Sequence, residues 1–513
     1  MSGRLDAGGR VSLTPGFADH RRPSFSVAGI GDMLLLVGLA SVISALAGMG
    51  DDLGDVAWLT IAGLASLVVG IRIRRHFVRP HRTPARRILR GLGLIWCAAC
   101  VVGAAVYLLT GAVDRVDDAL LESTAGFTTT NLTTLDPNDL STGMVIWRSA
   151  TQWIGGYMGI LLSVVALPEA LGGGALLASR AIVGADLVSD AMRGRRRILA
   201  LYGGFTAVVI GAYSATGLGK VEAVSHGLST ASTGGFSTNT DSFAGYGTGP
   251  RVVATAAMFV AGSSIFILWW AVRGRIRPIW RSIELRAYVS ILVAATTLIM
   301  IDVEDISLGD ALFTATSISS TTGLAVGDWT AWSDDAEGVL LVVAAIGSML
   351  GSAGGGFRVV RTHLLFMYAL REMRRQLDPR AVVVVKHRGQ AVEERTLHRL
   401  AGFQISHLMV CGVAALIMAS LGTSVLGAVW GATSAVSTLG PAVGEVGSFG
   451  SVGELTAPAR AVLIPAMLAG RLAIIPALVV VVWGLQSERR LGLTARRMVT
   501  AAGRRVGRVS GRG

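Results

Sequence analysis

Residues 121–132 read LESTAGFTTTNL, and three later stretches of the chain repeat this pattern. In each stretch, serine and threonine residues lead into a glycine or an asparagine, which is followed by an apolar residue or a proline. The other three stretches are residues 228–238, 316–324 and 433–441, which read LSTASTGGFST, TSISSTTGL and TSAVSTLGP. Recurrence of one pattern along a chain indicates a repeated structural unit.

The four stretches lie between paired apolar segments. The chain has ten such segments, several of which reach the roughly 20 residues that span a bilayer. They fall at residues 30–49, 56–71, 89–111, 143–168, 198–217, 251–272, 286–302, 336–370, 400–420 and 459–485. After the first two, the other eight form four pairs. A single run of serine, threonine and glycine is typical of an ordinary extracellular loop, but four runs at equivalent positions favour four pore loops.

The composition also indicates a membrane protein. Of 513 residues, 52% are hydrophobic and 15% are charged, and the mean hydropathy is +0.58. A soluble domain carries roughly 25% charged residues, so this chain has too few to cover a surface that faces water. We interpret it as one membrane domain. The three cysteines lie in apolar segments and do not suggest a disulfide framework.

The basic residues predict the orientation in the membrane. The net charge is +13, and arginines collect in the loops at 72–90, 193–197, 273–281 and 371–388 and in the tail after residue 488. Acidic or neutral loops alternate with them, which predicts ten crossings with both termini in the cytoplasm. Because the charge follows the loops, and no zinc knuckle or aromatic-basic ladder accompanies it, nucleic acid is not an expected partner. The first 25 residues lack the pattern of a cleavable signal peptide.

The residue types in the repeated stretches suit a dehydrated cation. Backbone carbonyls replace the water around a cation when extended strands point them at an axis. Glycine permits the backbone angles that such strands require, and hydroxyl groups add further oxygens. A short helix before each strand would direct its negative end at the cation. Four such strands around one axis predict a cation filter.

Motifs outside the four stretches carry a resemblance to a known family. They are residues 147–156 (WRSATQWIGG), 271–281 (AVRGRIRPIWR), 351–358 (GSAGGGFR) and 467–472 (MLAGRL). Together with the stretches, they resemble the TrkH/KtrB/HKT superfamily of potassium transporters, and most closely its TrkH branch, over residues 30–485. The resemblance implies an all-α polytopic membrane protein, in which two N-terminal transmembrane helices precede four helix–pore-loop–helix repeats in a pseudo-four-fold arrangement around one pore.

This organisation divides the chain into seven expected parts. They are a cytoplasmic N-terminal segment (1–27), two extra transmembrane helices with a basic loop (28–88), pore repeat 1 (89–180), pore repeat 2 (181–284), pore repeat 3 with an intramembrane gating loop at 347–357 (285–398), pore repeat 4 (399–486) and a basic cytoplasmic tail (487–513).

The resemblance implies which residues form the selectivity filter. The family places one filter glycine in each repeat, and the matching positions here are Asn131, Gly235, Gly323 and Gly440. The expected filter comprises Thr128, Thr129, Thr130, Asn131, Thr233, Gly234, Gly235, Ser320, Thr321, Thr322, Gly323, Ser437, Thr438, Leu439 and Gly440. Potassium is expected at the carbonyls of Thr129, Thr130, Thr233, Gly234, Thr321, Thr322, Thr438 and Leu439.

Asn131 is the main departure from the family pattern. In the HKT branch, serine at the matching position accompanies sodium permeability. Asparagine tolerates positive φ better than most residues do, so the first strand is expected to form. Two interpretations stay open: the amide crowds the pore or adds a ligand there, or Asn131 keeps the backbone shape and points away.

The glycines at 347–356 predict a break in the third inner segment, because residues 336–370 are too long for one uniform span. Each glycine disfavours helix by about 1 kcal/mol, and irregular backbone at membrane depth must line water or lie buried in protein. In the family this stretch obstructs the pore below the filter, whereas close helix packing through small residues is the alternative. The expected gate residues are Gly351, Ser352, Gly354, Gly355, Gly356, Arg358 and Arg471.

Arg471 joins the expected gate because it lies inside an apolar segment. An arginine there costs several kcal/mol unless it faces water or a partner. In the family an arginine at this place projects toward the pore below the filter. The alternative is that its side chain extends to the inner membrane interface.

The resemblance implies potassium uptake across the plasma membrane, the inner membrane of a bacterial cell. Potassium is the transported ion, no covalently bound cofactor is expected, and the absence of HExxH, GxSxG and P-loop motifs argues against an enzyme. Expected partners are a second copy in a homodimer, a TrkA-like cytoplasmic nucleotide-binding subunit and membrane lipids. Two other functions stay open: a sodium-permeable or weakly selective monovalent cation transporter, and a proton-coupled cation symporter.

Overall fold

The computed structural model describes residues 22–78, 83–167, 191–378, 383–387 and 390–474, together with residues 4–5, 11–12, 380, 476–477 and 479. The predicted basic tail at 487–513, most of the N-terminal segment and the junction of the first two repeats lie outside the described residues.

The described residues are largely helical. The helices are α1 (Phe25–Ala47), α2 (Leu53–His76), α3 (Ala85–Leu109), α4 (Val116–Thr128), α5 (Thr142–Leu161), α6 (Ala191–Ala215), α7 (Lys220–Ala231), α8 (Thr248–Gly262), α9 (Ile265–Val272), α10 (Ile276–Trp280), α11 (Ile283–Asp302), α12 (Leu308–Ser320), α13 (Asp334–Ile346), α14 (Val359–Leu377), α15 (Glu394–Ser420), α16 (Val425–Ser437) and α17 (Ala457–Arg471). A π-helical segment, Leu162–Ala166, continues α5, and short 3₁₀ turns span Pro137–Asp139 and Trp329–Ala331.

Among the described residues, six two-residue strands form three small ladders. Strand β1 (Arg4–Leu5) pairs antiparallel with β2 (Val11–Ser12), β3 (Arg22–Pro23) pairs parallel with β4 (Phe77–Val78), and β5 (Lys386–His387) pairs antiparallel with β6 (Gln390–Ala391). Pairs of this length add little to an architecture built from helices.

Helices α1 and α2 form a closely packed pair before the repeats. Small residues allow this approach, since a Cβ added to Gly38 would lie 2.7 Å from the carbonyl oxygen of Gly63. Arg74 of α2 also forms an ion pair with Asp32 of α1, with 3.0 Å between nitrogen and oxygen. The turn between them holds the start of α5, because Asp51 accepts a hydrogen bond of 2.7 Å from the amide of Thr142.

The rest of the chain repeats one unit four times. Each unit has an outer helix (α3, α6, α11 or α15), a pore helix of 12 or 13 residues (α4, α7, α12 or α16) and an inner helix that begins at α5, α8, α13 or α17. The pore helices are the most deeply buried part, as the residues of Leu121–Thr128 show without exception. This architecture confirms the predicted fold class.

Large apolar side chains on the outer helices face outward. Val101, Val208, Val293 and Leu416 have exposed fractions of 61%, 70%, 59% and 73%, and Leu39 of α1 and Ile61 of α2 are similarly exposed. Contiguous apolar surface of this kind marks contact with a membrane or a partner. Six helices among the described residues are long and apolar enough to cross a bilayer, or seven when α8 and α9 count as one. This number is below the ten predicted crossings because the inner segments are not counted as full spans. They either break or continue into residues outside the described ranges.

All four inner segments depart from α-helix, the first after 20 residues and the other three after 13 to 15. The first becomes π-helical at Leu162–Ala166, the third leaves helix at residues 347–358, and the fourth ends at Arg471, after which Ala473 and Ile474 take positive φ. The segment at 251–272 is not one straight helix, since α8 and α9 meet at a bend of 104°. The bend makes room for repeat 3, since the amide of Ile265 donates to the carbonyl of Gly351.

The loops on the pore-helix side link the four repeats into a closed ring. The links between neighbouring repeats are Thr240 to Asp136 (2.5 Å), Phe243 N to Ala325 O (2.8 Å), Ser448 to Asp328 (2.9 Å) and Val452 N to Thr133 O (3.0 Å). The Thr240 hydroxyl and the Asn138 amide lower the pKa of Asp136, so that this carboxylate remains charged at neutral pH.

Candidate ion pathway

Each pore helix ends in the same backbone turn. Thr129, Thr233, Thr321 and Thr438 follow the four helices and have φ between 54° and 59°. The next amide donates to the carbonyl five residues earlier at 2.8–2.9 Å, and the four pairs are Thr130–Ala125, Gly234–Ser229, Thr322–Ser317 and Leu439–Ser434. Glycine normally occupies such a position, and a β-branched residue there is strained. Strain repeated four times at one place in the fold marks a functional site.

The hydroxyl groups of these four threonines are buried. Three of them, on Thr129, Thr233 and Thr438, have no hydrogen-bond partner in the described structure, and the fourth, on Thr321, accepts from the amide of Gly355 at 2.8 Å. Buried hydroxyl groups without partners are uncommon, because leaving them unsatisfied costs about 1–3 kcal/mol each. A bound cation would satisfy their oxygens.

The glycines at three of the four matching filter positions have positive φ, at 82° for Gly235, 78° for Gly323 and 108° for Gly440. The strands also approach too closely for a side chain. A Cβ on Gly235 would overlap the carbonyl oxygen of Thr322, and one on Gly323 would lie 2.6 Å from the carbonyl oxygen of Leu439. Glycine is therefore required at these positions for both conformational and steric reasons.

Asn131 departs from its three counterparts. Its φ is not positive. The first strand therefore forms without the tolerance of positive φ that the sequence suggested as the reason. Its side-chain nitrogen instead donates to the carbonyl oxygen of Gly323 at 2.7 Å, and its backbone amide donates to that of Leu439 at 3.1 Å. The residue is 4% exposed. The amide thus lies among the strands and does not point away from them.

Gln152, which the sequence analysis did not select, holds the second strand. Its Nε2 donates to the carbonyl oxygen of Gly234 at 2.8 Å, and its Oε1 accepts from the amide of Phe236 at 3.1 Å. Gln152 belongs to the motif at 147–156, and this position was the one feature of the sequence that indicated a functional role for it. Two of the eight carbonyls predicted to bind potassium, those of Gly234 and Leu439, therefore accept hydrogen bonds from the protein.

The remaining predicted filter residues pack around these strands. Thr128 and Thr130 share a hydrogen bond of 2.8 Å, and Ser320 and Thr322 share one of 2.7 Å at the equivalent positions of repeat 3. The hydroxyl of Ser437 is buried without a partner. The structure thus brings all fifteen predicted filter residues to the ends of the four pore helices.

A buried ion pair supports the first strand from behind. Glu122 of α4 and Arg148 of α5 are 0% and 2% exposed, and 3.7 Å separates Glu122 Oε2 from Arg148 Nη2. The hydroxyl of Thr133 joins them, since it donates to Glu122 Oε1 at 2.7 Å and accepts from Arg148 Nη2 at 2.9 Å. The guanidinium also lies 4.3 Å from the centre of the Phe236 ring. The pair therefore connects the strands of repeats 1 and 2.

Replacing Arg148 with Met is expected to lower stability by about 3–5 kcal/mol, because Glu122 would remain buried without its countercharge. The measurement is the fraction of detergent-purified protein that stays monodisperse after heating. Arg251→Gln is the matched control, since Arg251 pairs with Asp310 at a more exposed site, and such a pair contributes about 0–1 kcal/mol. The double change Glu122→Gln with Arg148→Met should recover part of the loss. Equal heat resistance of Arg148→Met and Arg251→Gln would contradict the structural role of the buried pair.

The predicted gating loop lies against the inner end of the strands. Besides the bond from the Gly355 amide to Thr321, a Cβ on Gly354 would lie 2.5 Å from the carbonyl oxygen of Ser320. A Cβ on Gly355 would overlap the carbonyl oxygen of Ser437 and the hydroxyl oxygen of Thr438. These glycines allow the loop to touch repeats 3 and 4 at the level of the strained threonines.

Two predicted gate arginines bind the loop. Arg358 Nη1 donates to the hydroxyls of Ser348 and Ser352, both at 2.8 Å, and to the carbonyl of Met349 at 3.1 Å. Arg471 comes from repeat 4 and donates to the carbonyl of Ala353 at 2.5 Å and to that of Gly155 at 2.7 Å. Arg471 is therefore buried among protein acceptors at the loop. It does not extend to the membrane interface.

Glu284 is a further loop contact that sequence reasoning missed. It begins α11, is 7% exposed, and accepts a hydrogen bond of 2.6 Å from the amide of Leu350. The sequence offers a weak signal, a glutamate at the start of an apolar segment. The loop is thus attached to α11, to the strand of repeat 3 and to α17.

Comparison with known proteins gives one consistent result. Residues 100–491 match the model of the TrkH family, described as cation transport protein. The chain is 31% identical to the Trk system potassium uptake protein TrkH of Salmonella typhimurium over 405 residues, which cover 75% of this chain and 83% of that protein. It is 28% identical to the TrkH of Halomonas elongata over 442 residues, which cover 82% and 90% of the two chains.

The fold has a solved counterpart. The crystal structure of the potassium transporter TrkH from Vibrio parahaemolyticus superposes with a TM-score of 0.80 at 25% sequence identity. The match covers 89% of this chain and 97% of that chain.

Proposed function

This chain belongs to the TrkH family of cation transport proteins, and on that basis we propose that it takes up potassium across the plasma membrane through a pore between its four repeats. The observation that carries the proposal is the fourfold turn at Thr129, Thr233, Thr321 and Thr438, with its buried hydroxyl oxygens. Oxygen atoms that converge from four strands replace the hydration shell of a potassium ion.

The binding site proposed for potassium combines two kinds of oxygen. The hydroxyls of the four threonines form its inner ring. The layers above consist of carbonyl oxygens, which are those of Thr129, Thr130, Thr233, Thr321, Thr322 and Thr438. The carbonyls of Gly234 and Leu439 join them when an ion displaces their hydrogen-bond donors, Gln152 and Asn131. A buried hydroxyl or carbonyl binds a cation without ionisable ligands, so that the ion is held weakly enough to leave.

The loop at 347–357 acts as the gate of this pathway. Its glycines reach the inner ring, and Arg471, Arg358 and Glu284 hold it there. Conduction requires the loop to leave this position, which breaks these hydrogen bonds. The relatives' names describe an uptake system, and gating of this kind lets such a system stop ion flow without altering the filter.

The chain functions as a multi-pass protein with both termini in the cytoplasm, as a homodimer, and under the control of a TrkA-like nucleotide-binding subunit. The arginine distribution supports the orientation. A docking surface for the subunit lies in the basic segment at 371–399, where Arg371 is fixed by Glu394 through bonds of 2.7 and 2.8 Å. Its neighbours Arg374 and Arg375 are exposed, and the ion pair of Arg375 with Glu372 at 3.5 Å lies at the surface, where an acidic partner can replace Glu372.

Reduced selectivity against sodium is a second candidate property, and Asn131 is the observation that favours it. The other three repeats place glycine at this level, whereas repeat 1 places an amide that donates to the carbonyl of Gly323. The N–H groups of an amide carry partial positive charge and repel a cation, and this amide adds them next to the outer end of the strand of repeat 3. The outer part of the filter is thereby weakened for potassium.

Potassium and sodium flux from proteoliposomes tests both statements. Wild-type protein should pass potassium. Asn131→Gly should raise the potassium-to-sodium flux ratio about two- to tenfold, because the hydrogen bond of the Asn131 amide, of about 0.5–1.5 kcal/mol, no longer competes with the ion. Asn138→Gly is the matched control, since that asparagine is exposed and bonds to Thr240 in the outer loop. If Asn131→Gly left the ratio unchanged, Asn131 would not be a determinant of selectivity. If neither the wild type nor a protein lacking the loop passed potassium, the potassium pathway itself would be overturned.

A further inference from the structure

A small cavity lies beside the gating loop, and its charge is unusual. It is lined by Gly354–Gly356 of the loop, by Arg358 and Arg361 at the start of α14 and by Arg471 at the end of α17. Its volume is about 30 Å³. All three charged residues in this lining are arginines.

The arginines have little countercharge nearby. Among the described residues, Glu284 is the carboxylate whose charge acts on both Arg358 and Arg361, and no carboxylate of the described residues acts in the same way on Arg471. The bonds from Arg358 and Arg471 go to hydroxyl and carbonyl oxygens, which carry no net charge. A buried ion without a countercharge costs several kcal/mol, so proteins seldom leave such groups uncompensated.

One donor in the cavity is unused. Arg471 is 5% exposed, and its Nε has no hydrogen-bond partner although both of its terminal nitrogens do. The guanidinium of Arg361 packs over the ring of Phe403 at 4.3 Å, which leaves the edge of its guanidinium plane as the donor surface. Arginine edges of this kind bind anions through N–H groups.

We propose that the cavity binds a single small inorganic anion of the size of chloride, held by Arg358, Arg361 and Arg471. A volume of about 30 Å³ exceeds the roughly 10–15 Å³ that one water requires on the same measure, so the cavity has room for a small ion. The anion offsets part of the positive charge of the arginines that line the cavity, two of which hold the loop, and thereby stabilises the closed gate. Whether an anion binds in the cavity does not depend on the proposed potassium pathway. The effect of that anion on flux does rest on the pathway.

Crystals of the full-length protein grown in bromide, measured at the bromine absorption edge, test the site. We expect an anomalous peak in the cavity of the wild type, its loss in Arg361→Gln, and its retention in the control Arg251→Gln, which lies on the other side of the filter. Wild-type crystals decide the question even if Arg361→Gln does not fold. Water without an anomalous peak in the wild type would overturn the site, whatever the flux.

Flux tests the role of the anion separately. Potassium efflux from proteoliposomes should rise roughly twofold or more when gluconate, which is too large for the cavity, replaces chloride on both sides at constant potassium, because the closed state then loses a bound ligand. The same exchange should have no effect on a protein without residues 348–356. A bromide peak together with equal flux in the two anions would leave the site in place and overturn its role in holding the gate.

Discussion

Removing residues 348–356 is expected to raise potassium flux at least about tenfold without changing the preference for potassium over sodium. The loop is held by contacts from three other elements, which are Leu350 N to Glu284, Ala353 O to Arg471 and Gly355 N to Thr321. A hydrogen bond contributes about 0.5–1.5 kcal/mol, and one to a charged group about 1.5–3 kcal/mol. Their sum exceeds the 1.4 kcal/mol that corresponds to a tenfold change in an equilibrium.

The fold should tolerate this deletion because the ends of the loop already meet. A Cβ on Gly347 would lie 2.8 Å from the Cα of Gly356, and the amide of Phe357 donates to the carbonyl of Ala345 at 2.9 Å. Arg471→Ala, which removes only one of the contacts, should raise flux by a smaller factor in the same direction.

Proteoliposome flux under a potassium gradient measures both changes. Gly338→Ala is the control, because this glycine lies in α13 with open space around its Cα. The gating role of the loop would be wrong if the deletion folded, kept its ion preference and conducted no faster than the wild type. A higher flux with lost preference would instead assign the loop to the support of the filter.

Gly235→Ala is expected to abolish selective potassium flux. The residue has φ of 82°, and an added Cβ would overlap the carbonyl oxygen of Thr322 and lie 2.9 Å from the Cβ of Asn131. Left-handed backbone costs an L-residue roughly 1–2 kcal/mol, and the overlap forces the strands of repeats 2 and 3 apart. Oxygens that separate no longer match the radius of one dehydrated ion.

The measurement is the flux of potassium and of sodium from proteoliposomes. We expect potassium flux to fall at least about tenfold, because the backbone strain of roughly 1–2 kcal/mol adds to the steric overlap. Gly204→Ala in the outer helix α6 is the matched control, since no atom within 4 Å would meet its Cβ. Normal potassium flux in a folded Gly235→Ala protein would place the filter elsewhere.

Several properties of the site could be predicted from the sequence because they are local. The hydroxyl-rich stretches before Gly235, Gly323 and Gly440 mark the ends of the pore helices, and glycine is the residue that permits positive φ at those positions. The glycines at 347–356 predicted a non-helical segment for the same reason, and the structure places irregular backbone at 347–358.

Other properties depend on which residues meet across the repeats. Asn131 and Gly323 are 192 residues apart, and the bond between them replaces the backbone conformation that the other three repeats share. Gln152 reaches a strand 82 residues away, and Glu284 reaches a loop amide 66 residues away. Each of these polar groups could have bonded to water or to another partner, so that no local pattern reveals the choice.

The sequence by itself therefore determined the family, the class of fold and the places where the pore helices end, because hydropathy, arginine distribution and the fourfold motif are recorded along the chain. Only the tertiary structure decided that four threonines carry the strain, that α8 and α9 bend by 104°, and that Arg358, Arg361 and Arg471 share one cavity. The reason is that buried polar groups must find partners, and those partners come from distant parts of the chain.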